Sequence, residues 1–204
     1  YYLEVGLDVE VREYQKDTEL VKEVINGRAQ YGISDSSIII HRAHGDPVVL
    51  LANVFQHSPM VLLSRVESKI FSPAQMVGKS IMLSTHEQDN ASIIAMLNAE
   101  SVSLKQMDVT EHSFNIDDFI NGKVDIISAY ATNEPGILNE RQVKFNIIDP
   151  INYGIDFYGN NIFTSEKHIQ ENPQQTADFI KASLKGWEYA LTHRDEVIEL
   201  ILKK

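Results

Sequence analysis

The residues of this 204-residue sequence that could hold or transform a small molecule gather in a few short loops. The richest is Ser128-Ala129-Tyr130-Ala131-Thr132-Asn133-Glu134-Pro135, which follows an apolar run and opens a helical pattern. It combines an aromatic ring, short hydrogen-bonding side chains and a carboxylate. Glu134 can serve the helix dipole. With Tyr130 and Asn133 it can equally hold a flat amino-substituted heterocycle, the carboxylate accepting N–H groups while the ring stacks. Phe55-Gln56-His57-Ser58-Pro59 offers a ring, an amide and an imidazole, and His57 can alternatively fill a turn. In Ser34-Asp35-Ser36-Ser37, Asp35 and Ser36 are either plain helix caps or polar ligand contacts. Residues 153–160 bracket Asp156, Phe157 and Tyr158 with glycines, as suits ligand stacking or packing at a hinge. The polar run 84–90 opens another helix and is either solvated or a ligand contact.

Reactive machinery is sparse by comparison. His41 and His44 share a helix face without an acidic partner, so they read as surface residues. No Gly-x-Ser-x-Gly, phosphate-loop, Gly-x-Gly-x-x-Gly or His-Glu-x-x-His pattern occurs. The absence of cysteine excludes disulfides, thiolate metal sites and cysteine nucleophiles. No cofactor and no catalytic or metal-ligating residue is expected.

The elements that must position these loops alternate between strand and helix. Residues 7–14 alternate apolar with polar, predicting a strand with one solvated face. Leu20, Val21, Val24 and Ile25 recur at helical spacing, and Asn26-Gly27 stops that helix. Tyr31-Gly32-Ile33-Ser34 reads as a short buried strand, 38–44 as a helix, and 48–55 as a strand covered on both faces. The grammar returns later: 119–128 carries Asn121-Gly122 before an apolar strand, as 24–34 carries Asn26-Gly27. Strands are expected at 60–64, 80–83, 107–111, 143–148 and 161–165, and a helix over 90–98. Residues 173–202 are expected to be helical throughout, with Phe179, Ile180, Leu184, Trp187 and Leu191 on one face. If 60–64 and 161–165 cross between lobes, residues 1–57 plus 160–204 form a first, discontinuous lobe and 58–159 a second.

A net charge of −11, with acids scattered along helices, argues against a nucleic-acid partner or docking on anionic lipid. No apolar run reaches the roughly 18–20 residues of a membrane span, so no direct membrane insertion is expected. The sequence begins and ends inside elements and is read as a fragment of a longer polypeptide.

The opening Tyr1-Tyr2-Leu3-Glu4-Val5-Gly6, the 27–36 turn, Gly45-Asp46-Pro47, Gly78-Lys79-Ser80-Ile81 and Thr132-Asn133-Glu134-Pro135 together resemble periplasmic solute-binding proteins of the thiamine-pyrimidine-precursor type. That resemblance implies an α/β, two-lobed periplasmic binding protein type II-like fold with a double-crossover hinge. It implies a periplasmic or extracytoplasmic domain that captures an amino-pyrimidine-like ligand in the interlobe cleft and delivers it to an ABC transporter permease. Glu134, in the Asn133-Glu134-Pro135 motif, then supplies the pyrimidine-binding carboxylate, with Tyr130, Phe55, His57 and Tyr158 completing the site, and the loop composition adds Asn133, Asp35, Ser36 and Asp156 as candidates. Residues 55–59 and 153–166 also resemble the version fused to sensor kinases or diguanylate cyclases, so a fused signalling module is the alternative partner. A third alternative, a pyrimidine synthase-like enzyme, is opposed by the missing cysteines. The family's first strand and its C-terminal segment are expected to lie outside this sequence.

Overall fold

The computed structural model describes residues 1–13, 15, 18–83 and 90–203. The chain divides into two compact units, one of residues 1–34, 42–54 and 161–204, the other of 35–41 and 55–160.

In the first unit, α1 (Leu20–Ile25) buries Val21 and Val24 and ends on Asn26 and the left-handed Gly27. Strands β1 (Tyr31–Ser34), β2 (Val48–Phe55) and β8 (Gly159–Ser165) form a sheet ordered β1-β8-β2. β1 pairs antiparallel to β8, Tyr31 opposite Thr164 and Ser34 opposite Asn161. Gly32 is required there, because a Cβ would meet the Phe163 ring at 2.5 Å. Only the middle strand is buried almost throughout; β1 and β2 are edges, and Ile33 is 58% exposed. This corrects the reading of 31–34 as a buried strand and of 48–55 as one covered on both faces, since composition cannot say which strand takes the centre.

A second correction concerns residues 7–13, which form no strand; Val11 is 84% exposed. Alternation marks two faces and does not supply the neighbour whose backbone a strand needs. The third is the C-terminal helix, which is two: α7 (Pro173–Thr192) and α8 (Arg194–Leu202) meet at His193, whose φ of −123° and ψ of 49° are not helical. The buried stripe of α7 runs through Thr176, Phe179, Ala182 and Ser183, whereas Leu184 and Leu191 face solvent. Phe179 stacks between Tyr2 and Tyr31, and Tyr31 meets His168 of α6 (Glu166–Glu171) edge-on.

In the second unit, β3 (Met60–Arg65), β4 (Ser80–Leu83), β5 (Asp108–Glu111), β6 (Ile126–Tyr130) and β7 (Phe145–Ile148) form a sheet ordered β5-β4-β6-β3-β7. β5, β4 and β6 run parallel, and β3 lies antiparallel to β6 and β7. Successive residues enter opposite cores, as strand geometry demands. Leu62, Ile81, Leu83 and Ile126 pack with α3 (Ala91–Ala99) through Ile93, Met96 and Leu97. Val61, Leu63, Met82 and Ile127 pack on the other face with Phe119 of α4 (Ile116–Ile120) and Leu138 of α5 (Glu134–Glu140). Both faces are covered, which explains the near-continuous apolar strands.

Candidate ligand-binding site

Parallel neighbours β4 and β6 send the chain to opposite faces: β4 leads to α3 in one core, β6 to α5 in the other. Such a switch point leaves a crevice beyond the carboxyl ends of the two strands, where α/β sheets bind ligands. The loop after β6 holds Tyr130, Asn133 and Glu134. The loop after β4, residues 84–89, lies outside the described residues.

Glu134 is anchored from two sides. Its Oε2 accepts the Tyr130 backbone N–H at 2.7 Å and its Oε1 accepts Asn133 Nδ2–H at 2.9 Å. The helix-start role is thus real, yet a carboxylate has about four acceptor positions and two are used. Among the described residues no other group bonds these oxygens, so each keeps one acceptor position. Tyr130, 38% exposed, pairs with Met60 at the start of β3. The Ala131 N–H donates to the Pro59 carbonyl at 2.8 Å, and Pro135 takes the first turn of α5, where its missing N–H costs nothing.

Pro59 also belongs to the second group of sequence-derived candidates. The Ser58 N–H donates to the Phe157 carbonyl, and His57 Nδ1 lies 2.8 and 3.0 Å from the two Asp156 carboxylate oxygens. An ionised carboxylate only accepts, so in this contact Nδ1 is the donor. A Cβ at Gly159 would sit 2.9 Å from Pro59 and 3.4 Å from the Phe55 Cβ, so glycine lets these segments touch. Ser36 Oγ donates to the Tyr158 carbonyl at 2.7 Å, while Asp35 Oδ1 accepts the Ser37 N–H as a local turn. All nine candidates therefore fall in the second unit. Main-chain hydrogen bonds of Ser58 and Pro59 join the 55–59, 130–134 and 156–159 segments.

A small cavity of about 60 Å³ lies under this group, lined by His57, Ser58, Met60, Asp149, Asp156 and Phe157 among others. Sequence reasoning passed over Asp149 and the His112-Ser113-Phe114 segment after β5. Residues 112–115 also lie beyond a strand's carboxyl end, the position that α/β sheets use for ligands. Among the described residues no cluster of three metal-ligating side chains occurs, and no helix is long and apolar enough to cross a membrane.

Residues 1–197 match the model of the family described as NMT1/THI5 like. The chain belongs to the NMT1/THI5-like family. This NMT1/THI5-like chain is 23% identical over 206 residues to the formylaminopyrimidine-binding protein of Halalkalibacterium halodurans, covering 99% of itself and 62% of that protein. It is 25% identical over 209 residues to the riboflavin-binding protein RibY of Chloroflexus aurantiacus, covering 100% of itself and 59% of RibY. The chain thus spans about three fifths of the length of these curated relatives. Among solved structures it resembles the periplasmic aliphatic sulphonate binding protein SsuA from Escherichia coli, with a TM-score of 0.66 at 14% identity over 91% of this chain and 60% of that one. An ancestral arginine-binding protein bound to arginine gives a TM-score of 0.66 at 10% identity over 95% and 82%. These likenesses show the fold, which is α/β and of the type II-like periplasmic binding protein class.

Proposed function

We propose that this chain is the ligand-capturing part of an extracytoplasmic solute-binding protein, and that it takes a small flat N-heterocycle bearing N–H donors. The observation that carries this reading is Glu134: a carboxylate with one lone pair left on each oxygen, beside the exposed Tyr130, at the switch point between β4 and β6. Two adjacent N–H groups on a planar ring would match those lone pairs while the ring face lies against an aromatic side chain. His57, fixed by Asp156, adds an imidazole nitrogen, and the small cavity beside it accommodates a ring substituent.

Two relatives carrying names of flat N-heterocycle binders, formylaminopyrimidine and riboflavin, support the ligand class, and both are named as binding proteins and not as enzymes. The similar fold of the periplasmic sulfonate-binding protein SsuA of a putative sulfonate ABC transporter from Methylobacillus flagellatus supports delivery to a membrane permease as the partner step. In this proposal the two compact units are the two lobes of the binding-protein fold. Binding is a population shift, the ligand favouring whichever conformer offers it more contacts.

Isothermal calorimetry with formylaminopyrimidine and riboflavin tests the assignment. Glu134→Gln keeps an acceptor for the Tyr130 N–H but loses half of the carboxylate's capacity, and about a tenfold or greater loss of affinity is expected, about 1.4 kcal/mol or more. Wild-type affinity in Glu134→Gln, with an unchanged circular dichroism spectrum, sinks the assignment.

A further inference from the structure

β5 ends at Glu111, level with Leu83 of β4, and the chain then runs through His112, Ser113 and Phe114. The His112 N–H donates to the Leu83 carbonyl at 2.9 Å. Its ring spans past the end of β4 to β6, where Nε2 meets the Ser128 carbonyl at 3.0 Å, while Nδ1 meets the Phe114 backbone N–H at 3.0 Å. A carbonyl only accepts and an amide N–H only donates. Both bonds together therefore allow one ring state, neutral with the proton on Nε2.

This bridge holds Phe114 at φ 56°, a left-handed conformation that bulky residues rarely adopt. The Phe114 ring lies 4.7 Å from the imidazole at 44° and is 75% exposed. The following helix does not need it: Asn115 caps α4 by accepting the Asp117 N–H, and Ser113 Oγ bonds Asp118. An apolar ring kept in water by a strained backbone is unfavourable twice over in the free protein, and strain of this kind gathers at ligand clamps.

We propose that Phe114, held by His112, is the stacking platform for the far end of a planar ligand whose near end is anchored at Glu134. This rests on the ligand class proposed above and adds a size requirement. β5 and β6 are two strand spacings apart, about 10 Å. A ligand touching both is an elongated planar one, of several fused rings or one ring with a substituent in its plane.

The test is fluorescence and calorimetric titration of the purified chain with riboflavin and with formylaminopyrimidine, using wild type, Glu134→Gln, Phe114→Asn and Phe114→Trp. Asparagine tolerates the left-handed region, so Phe114→Asn is expected to raise the Tm by about 2–4 °C through relief of strain. The same change is expected to weaken riboflavin binding about tenfold, in line with loss of one aromatic stack and its buried area. Phe114→Trp retains binding, and formylaminopyrimidine is affected less than riboflavin. If Glu134→Gln weakens binding and Phe114→Asn does not, the platform is overturned and the anchor stands. If neither probe binds the wild-type chain, the ligand class falls and the platform with it.

Discussion

Both units contain the same local device, a helix stopped by Asn-Gly and followed by a strand, but the strands lead to different surroundings, β1 to Asp35 and Ser36 and β6 to Tyr130, Asn133 and Glu134. Asn26 has φ −80° and ψ 0°, Asn121 φ −80° and ψ 2°, and Gly27 and Gly122 share φ 74°. The Arg28 N–H returns to the Glu23 carbonyl and the Lys123 N–H to the Asp118 carbonyl, each at 2.9 Å. Even the side chains correspond, with Arg28 paired to Glu23 and Lys123 to Asp118. The difference lies in what the strand joins. β1 is the edge of three strands, whereas β6 sits centrally among five beside a parallel neighbour whose next helix packs on the other face. Local sequence builds the turn; strand order decides whether a crevice opens beyond it.

The sharpest way to break the comparison is through the helix anchors. Phe119→Ala empties a fully buried ring position and is expected to cost about 3–5 kcal/mol in urea unfolding. Val24→Ala, at the matching place in α1, removes two methyl-sized groups and costs about 1.5–2.5 kcal/mol. Equal losses would mean that the central position of β6 confers no extra packing. Next in size are the stops themselves. Gly27→Ala and Gly122→Ala meet no atom closer than 3.7 Å, so backbone strain alone acts, about 1–2 kcal/mol each and the same in both.

The smallest effect is acid sensitivity. Arg28 holds the Glu23 carboxyl below its usual range, and Lys123, helped by Ser113, does the same for Asp118. Folded values below unfolded ones mean that stability present above the ordinary carboxylate range is lost as pH falls through the folded values. In both pairs the cation is exposed and the carboxylate half-buried, so solvent screens the pairing and Lys123→Met and Arg28→Met should each flatten this acid limb slightly. The first unit adds His168, whose pKa burial lowers below 6.5 against a smaller opposing influence of Glu171. Its unfolded form takes the proton first, so stability declines as pH drops from about 6.5 towards the folded value. Urea midpoints between pH 7 and 5 should fall for wild type and less for His168→Gln.

The two Asn-Gly stops and the central strands β3, β4 and β6 were legible because their signals are local: a left-handed glycine, a buried apolar run. The strand read at 7–14 failed because alternation carries no information about a partner. The edges β1 and β2 resembled central strands for the same reason. Of the site, the loops after β2 and β6 stood out by composition. The Glu134 anchor to the Tyr130 N–H and the bridge from His112 to Ser128 depend on strand register and could not be seen in advance. Phe114 did not stand out by composition: its N–H bonds the neighbouring His112 ring, and that ring is placed by a bond across the sheet to Ser128, which the sequence does not reveal.

The frame around Pro59 is held by main-chain atoms: the Ala131 N–H on the Pro59 carbonyl, the Ser58 N–H on the Phe157 carbonyl and the Asn133 N–H on the Tyr130 carbonyl. Such bonds are indifferent to the side chains they carry. Positions 57, 130 and 133 can therefore exchange residue types while the loops keep their shape, which separates the inheritance of form from the inheritance of specificity. A scaffold of that kind can be retuned from one solute to another by a few substitutions, without passing through an unfolded intermediate sequence.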